Sequence, residues 1–251
     1  MIDLSNRLAL VTGGSRGIGA ACVRALARAG CGVAFSYRER EEESRAVTKE
    51  MESEGRRVFA IQADLEERTD CQRLVRESLS HLGGLDILVH NAGIWTGGAI
   101  ETMPDEIWSE TMRVNLDSAF YLTRAAVPHL RGKEQGRIIY ISSTAAQRGE
   151  AGHSHYAASK GAIQSFTKSL AVELAPDSIT VNAVAPGWVR TGMVTGTLSE
   201  AEVREAVADI PRGRMAVPEE VAGPVCFLAS DLAAHITGEI LNVNGGAVLC
   251  G

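Results

Sequence analysis

Seven short apolar, β-branched runs recur along the chain, at residues 8–12, 32–37, 57–61, 85–90, 136–142, 179–185 and 239–243, and this recurrence limits the fold more than any other feature. Between most of them lie longer segments with helical spacing of apolar residues, at 20–29, 69–82, 106–130, 156–174 and 219–230. Strands alternating with helices imply parallel pairing through right-handed crossovers. Runs such as Ile87-Leu88-Val89 and Ile138-Ile139-Tyr140-Ile141 are apolar without alternation, as suits strands covered on both faces. The pattern predicts an α/β chain with a doubly wound sheet of about seven parallel strands and helices on both faces. At 251 residues it fits a single domain over residues 1–251, and no Pro/Gly/Ser linker, low-complexity tract or repeat divides it. Residues 187–211 interrupt the alternation with Gly192, Gly196 and a small amphipathic helix over 200–210. An insertion of that length after a strand's carboxyl end predicts a substrate lid; the alternative is a surface helix that only packs.

Composition closes several function classes. Apolar residues make up 45 % and charged residues 22 %, the balance of a globular rather than a disordered or membrane chain. The five cysteines form no CxxC pair and their odd number argues against a disulfide framework, so a cytoplasmic protein is expected, and no metal site. The first residues lack a basic segment followed by an apolar stretch, and no uninterrupted apolar window spans a bilayer. A net charge of −6 without a Lys/Arg cluster offers no footprint for nucleic acid.

The first strand runs into Thr12-Gly13-Gly14-Ser15-Arg16-Gly17-Ile18-Gly19, with a helix directly behind it. Glycines in that place permit a tight turn, let backbone approach a pyrophosphate and aim the free N–H groups of a helix N-terminus at the anion. The pattern predicts the dinucleotide-binding turn of a Rossmann fold; the alternative is a glycine-rich turn that binds nothing. NAD binders place an acid about twenty residues further on, against the ribose 2′-hydroxyl. Tyr37 and Arg38 occupy that place, so Arg38 with Arg16 would grip a 2′-phosphate through charge-assisted contacts, and NADP(H) is preferred. NAD(H) stays possible, because Glu39 would serve an NAD ribose.

Tyr156 and Lys160 lie four apart in a helical pattern, on one face. A neighbouring ammonium favours the phenolate, which would bring a phenol that titrates near ~10 closer to working pH.

With these motifs in register the chain resembles the short-chain dehydrogenase/reductase family along essentially its whole length. The family's glycine signature matches Thr12 to Gly19, its adenine-contacting Asp matches Asp64 in Ala63-Asp64-Leu65, and its Asn-Ala-Gly matches Asn91-Ala92-Gly93. Its active-site Asn matches Asn115, its Ser matches Ser143, and its Tyr-x-x-x-Lys matches Tyr156 and Lys160. Pro186-Gly187, with Val189 and Thr191, resembles the loop that closes over the nicotinamide. The resemblance implies that Ser143 hydrogen-bonds a substrate oxygen, Tyr156 exchanges a proton with it, Lys160 holds the ribose and supports the phenolate, and Asn115 holds a water linked to Lys160. It also implies a homotetramer, built from the helices around Asn115 and Tyr156 and from the segment 243–251. His90 stands where relatives often have a second Asn and reads as a satisfied strand-end histidine. His153 and His155 are given no catalytic role.

The nearest subgroup in pattern is the 3-oxoacyl-(acyl-carrier-protein) reductases, through Arg212-Gly213-Arg214, Val217-Pro218-Glu219-Glu220-Val221-Ala222 and the tail around Val243-Asn244-Gly245-Gly246. A carrier-using enzyme should offer basic residues at the site mouth. Mixed charges at 131–135 and the acid in Pro176-Asp177-Ser178 weaken that reading. The alternatives are a reductase of a small ketone, sugar, polyol or steroid-like alcohol, with Trp95 and Trp188 as aromatic walls, or a catalytically idle nicotinamide sensor. The expected partner is a small-molecule or acyl-thioester substrate.

Overall fold

A computed structural model describes residues 2–132 and 135–250. In chain order the elements are β1 (Leu8–Val11), α1 (Gly17–Arg28), β2 (Gly32–Tyr37), α2 (Glu41–Ser53), β3 (Val58–Gln62), α3 (Arg68–Leu82) and β4 (Ile87–His90). Then follow α4 (Asp105–Met112), a π-helical turn (Arg113–Asp117), α5 (Ser118–Leu130), β5 (Gly136–Ile141), α6 (Ala145–Arg148) and α7 (Ser154–Leu174). β6 (Ile179–Pro186), α8 (Gly192–Thr195), α9 (Glu200–Ala208), α10 (Pro218–Ala229) and β7 (Ile240–Val243) complete the order.

All seven strands pair in parallel, in the order β3-β2-β1-β4-β5-β6-β7. The order reverses between β1 and β4, which opens a crevice at their carboxyl ends, where ligands of such sheets bind. Period-two alternation divides the core in two. Ala9, Val11, Ile87, Val89 and Ile139 face one cluster with α1, α2 and α10, while Leu10, Leu88, Ile138 and Tyr140 face the other with α3, α5 and α7. Each central strand is therefore apolar on both sides, the cause of the continuous runs in the sequence.

Two elements depart from expectation. The periodicity did not reveal α2, because its stripe is only Ser44, Val47 and Met51 in an otherwise charged helix. The helix expected over 106–130 is broken by the π turn, which inserts one extra residue per turn and rotates Asn115 inward. Four cysteines are buried free thiols and Cys250 is exposed. Among the described residues no helix is long and apolar enough to cross a membrane.

Candidate active site

At the carboxyl end of β1 the chain turns through Thr12 to Arg16 into α1, a turn that needs glycine. Gly17 has φ 55°, a left-handed backbone that side chains resist. At Gly19 any Cβ would lie 2.1 Å from the Gly13 carbonyl oxygen. Gly13, Ser15, Arg16, Gly17 and Ile18 line a cleft of about 380 Å³, within the usual range of ligand sites. Gly19, expected to touch cofactor, lies beneath the turn instead; its missing side chain lets loop and helix close together.

Asn91 Nδ2 donates to the carbonyls of Thr12 and Gly13 at 3.0 and 3.2 Å, while Thr12 Oγ1 accepts the N–H groups of Asn91 and Ala92 at 3.0 and 2.9 Å. These bonds fasten β1 to β4 at the switch point. Ala92 and Gly93 continue the wall, and Asp64 and Leu65 line it from the end of β3. Asp64 Oδ1 also accepts the N–H of Glu66 at 3.1 Å, a turn-forming contact.

Arg38 lines the cleft from the end of β2, where a second acid, Glu66, joins the Glu39 noted in the sequence. Glu66 lies 3.2 Å from its Nη1 and Glu39 3.5 Å from its Nε, and Glu66 also pairs with Arg113 at 3.2 Å. Arg16 lines the same cleft with no ion pair among the described residues. Arg40, which sequence reasoning passed over, lines it too; its signal was a second basic residue just past β2.

Tyr156 and Lys160 project from one face of α7, and the Lys160 Nζ lies 5.9 Å from the centre of the Tyr156 ring. Lys160 is buried, donates to the Ile141 carbonyl at 2.9 Å, and burial pulls its pKa down to about 8. Burial likewise pushes the Tyr156 phenol up to about 12, against a hydrogen bond from Ser143 that lowers it and with the Glu150 charge raising it further. The ammonium was expected to bring the phenol down; the shift runs the other way, with desolvation its largest cause. Ser143, just past β5, lines the cleft, and its Oγ accepts the Ala145 N–H at 3.1 Å.

Asn115 stands behind this wall rather than in it. Its Oδ1 accepts the Ile94 N–H at 2.8 Å, and its Nδ2 donates to the Ile94 carbonyl at 3.1 Å and to Ser159 Oγ at 3.0 Å. It thereby ties the loop after β4 to α7. A Cβ on Gly93 would come 3.1 Å from Asn115 Oδ1 and 3.2 Å from Lys160 Nζ, so a side chain there would crowd both groups.

Pro186, Gly187, Val189 and Thr191 cover the cleft from the end of β6, and Met193 and Val194 of α8 line it as well. This cover is anchored by paired backbone bonds, Ala216 N–H to Trp188 O at 3.0 Å and Arg190 N–H to Ala216 O at 2.9 Å. α9 beyond it is held by a capping box of Ser199 and Glu202. At the mouth Trp95 and Trp188 meet edge to face, 5.8 Å apart. Arg148 and Glu150, which carried no sequence signal, line the same mouth.

Two histidines near the site are buried, His90 against Ser118 Oγ at 2.7 Å and His155 beside the Thr96 backbone. Of the charges weighed at 131–135 and 176–178, Arg131 and Asp177 lie before β5 and β6, at the amino edge of the sheet, paired at 2.8 Å. They are on the opposite side from the cleft and say nothing about what enters it. Residues 133 and 134 lie outside the described residues.

Comparison with known proteins agrees with this arrangement. A family model described as enoyl-(acyl carrier protein) reductase matches residues 13–248. A 3-oxoacyl-[acyl-carrier-protein] reductase FabG of Staphylococcus aureus is 39 % identical over 95 % of this chain and 96 % of its own. A dehydrogenase/reductase from Sinorhizobium meliloti superposes with a TM-score of 0.94 at 40 % identity, covering 98 % of this chain and 97 % of that one. A short-chain dehydrogenase from Burkholderia cenocepacia, solved in complex with NADP, superposes with a TM-score of 0.92 at 38 % identity, covering 97 % and 98 %. On fold, site and relatives together, the chain belongs to the short-chain dehydrogenase/reductase family, oxidoreductases that act on carbonyl and alcohol groups.

Proposed function

We propose that this chain interconverts a carbonyl and a secondary alcohol with NADP(H) as hydride carrier. The observation that carries the reading is that Tyr156, Ser143 and Lys160 share one cleft with the glycine turn. The bound nicotinamide would supply or accept the hydride; the protein handles the proton. A phenol held protonated by burial is a donor at neutral pH, and the Ser143 hydroxyl beside it is placed to steady the oxygen on which negative charge develops. The free N–H groups of α1 and the Arg16 guanidinium suit a phosphate-bearing cofactor, with Gly13, Asp64, Leu65, Asn91, Ala92, Gly93, Pro186, Gly187, Val189 and Thr191 as its remaining walls. Arg38 would join the 2′-phosphate by releasing Glu39 and Glu66. The NADP in the Burkholderia relative supports that preference. Asn115 keeps the Lys160 pocket in shape. The chain 187–211 serves as lid.

Spectrophotometry of NADPH and NADH consumption over acyl thioesters, diketones, sugars and ring ketones tests the reading. Turnover of a carbonyl with NADPH favoured supports it, and no turnover across the set sinks it.

We further propose that the chain folds as one domain over residues 1–251 and works as a cytoplasmic homotetramer. Of the six large apolar side chains exposed among the described residues, Trp108, Phe120 and Val172 lie on α4, α5 and α7, and Leu249 lies in the C-terminal segment. Apolar side chains concentrated this way mark interfaces. Light scattering should give four times the 26.7 kDa of the chain.

A further inference from the structure

Three loops converge at the mouth of the cleft: the one after β4 brings Trp95, the one before α7 brings Glu150 and His153, and the one after β6 brings Trp188. They are laced together. The Gly98 N–H donates to the Gly152 carbonyl at 2.8 Å, and the Trp95 indole Nε1 donates to Glu150 Oε1 at 3.0 Å. The His153 ring stacks on Trp95 with centroids 4.4 Å apart and planes 10° from parallel, and its Nδ1 lies 3.6 Å from the same Glu150 oxygen. Trp95 is thus held on one face by an imidazole and on its polar edge by a carboxylate. It also meets the Trp188 ring, at 82°.

Two large rings fixed near a right angle form a corner rather than a slot. A flat ring entering it meets one indole face to face and the other edge on, the two arrangements aromatic pairs favour. A linear acyl chain presents no such faces and loses more rotamer freedom on being held. We propose that Glu150 and His153 clamp Trp95 against Trp188 to make a specificity corner that selects ring-bearing ketones and secondary alcohols over linear acyl substrates. The inference rests on the carbonyl–alcohol reading above. Glu150 is then a positioning residue, acting through Trp95.

The test uses three carbonyls with NADPH: a benzocyclic ketone, a linear 3-oxoacyl thioester of N-acetylcysteamine, and butane-2,3-dione, which is too small to fill the corner. Wild type should show kcat/KM for the ring ketone about tenfold or more above that for the thioester, the scale on which apolar pockets discriminate. Trp188→Ala should lower it about tenfold, mainly through KM, with the dione within about threefold, and Glu150→Ala should lower the ratio of ring ketone to dione by a similar factor, whatever the lost charge does to both substrates through the Tyr156 phenol. Glu150→Gln, which keeps an acceptor for the indole, and Trp188→Phe, which keeps a ring, should restore most of the preference. Binding of the ring ketone should quench tryptophan fluorescence in wild type and less in Trp188→Ala. Dione turnover with no ring preference, or equal losses on dione and ring ketone, overturns the corner alone. Inactivity of wild type on all three overturns the underlying reading and the corner with it.

Discussion

Tyr156 and Lys160 sit one helical turn apart, and burial moves their proton affinities in opposite directions, the phenol up to about 12 and the ammonium down to about 8. In the free enzyme the group that titrates nearest to neutral pH is therefore the lysine. For carbonyl reduction the phenol stays protonated well into the alkaline range, so the fall of kcat/KM near pH 8 should belong to Lys160 losing its charge. Lys160→Arg, which keeps the charge, should move that limb upward by a unit or more; an unmoved limb assigns it elsewhere. Tyr156→Phe keeps the ring and removes the proton, so turnover should drop by ~10² or more, with NADPH affinity by calorimetry little changed. At the phosphate end, Arg38→Asp should raise KM for NADPH far more than KM for NADH; equal effects would mean that Arg38 remains with Glu39 and Glu66 and never meets the cofactor. Tyr156 and Lys160 were legible because one helical turn puts them on one face, and Ser143 through the family resemblance. Glu150 and the Glu66 carboxylate beside Arg38 were not, because loop neighbours are set by tertiary contact.

At the scale of elements the same division holds. Strands showed themselves wherever both faces are covered, as at Ile87 to Val89, and their observed limits fall within two residues of the expected ones. The π turn was not read from the periodicity, which ran as one helix across it, yet Asn115 within it points at Ile94 and Ser159. The glycine turn was legible as a motif, but which glycines make contact and which only give clearance needed geometry. That distinction can be tested. Gly19→Ala puts a methyl group 2.1 Å from a backbone oxygen that cannot swing away, so loop and α1 must separate. The variant should lose about 1–3 kcal/mol of stability, the usual cost of overpacking, and bind NADPH at least tenfold more weakly by calorimetry. Unchanged affinity and melting temperature would show that the turn opens freely.

Over the whole molecule, the direction of the strands settles what the sequence left ambiguous: everything that precedes a strand belongs to one edge of the sheet and everything that follows it to the other. Arg131 and Asp177 fall on the far edge by that rule, and the chemistry collects at the near one. Burying polar groups near that edge has a consequence for the stability of the entire fold. Ser118 donates to the Val114 carbonyl at 2.6 Å, so the 2.7 Å contact with His90 has the histidine Nε2–H as donor, and the ring is neutral. Burial, with the Lys160 charge adding to it, pulls the His90 pKa down to about 3. An unfolded histidine titrates near ~6.5. Between those values the unfolded chain takes up a proton that the native site refuses, so stability is fully present above pH 6.5 and is lost as pH falls toward 3. The loss should amount to on the order of a few kcal/mol across the window. His90→Asn has no such proton to take up. Urea unfolding measured at steps from pH 7.5 to 4 should therefore give a steeper decline for wild type than for His90→Asn, whatever their difference at neutral pH. Parallel declines would mean that the buried ring is charged in the native state or that the acid sensitivity of the fold resides in its carboxylates.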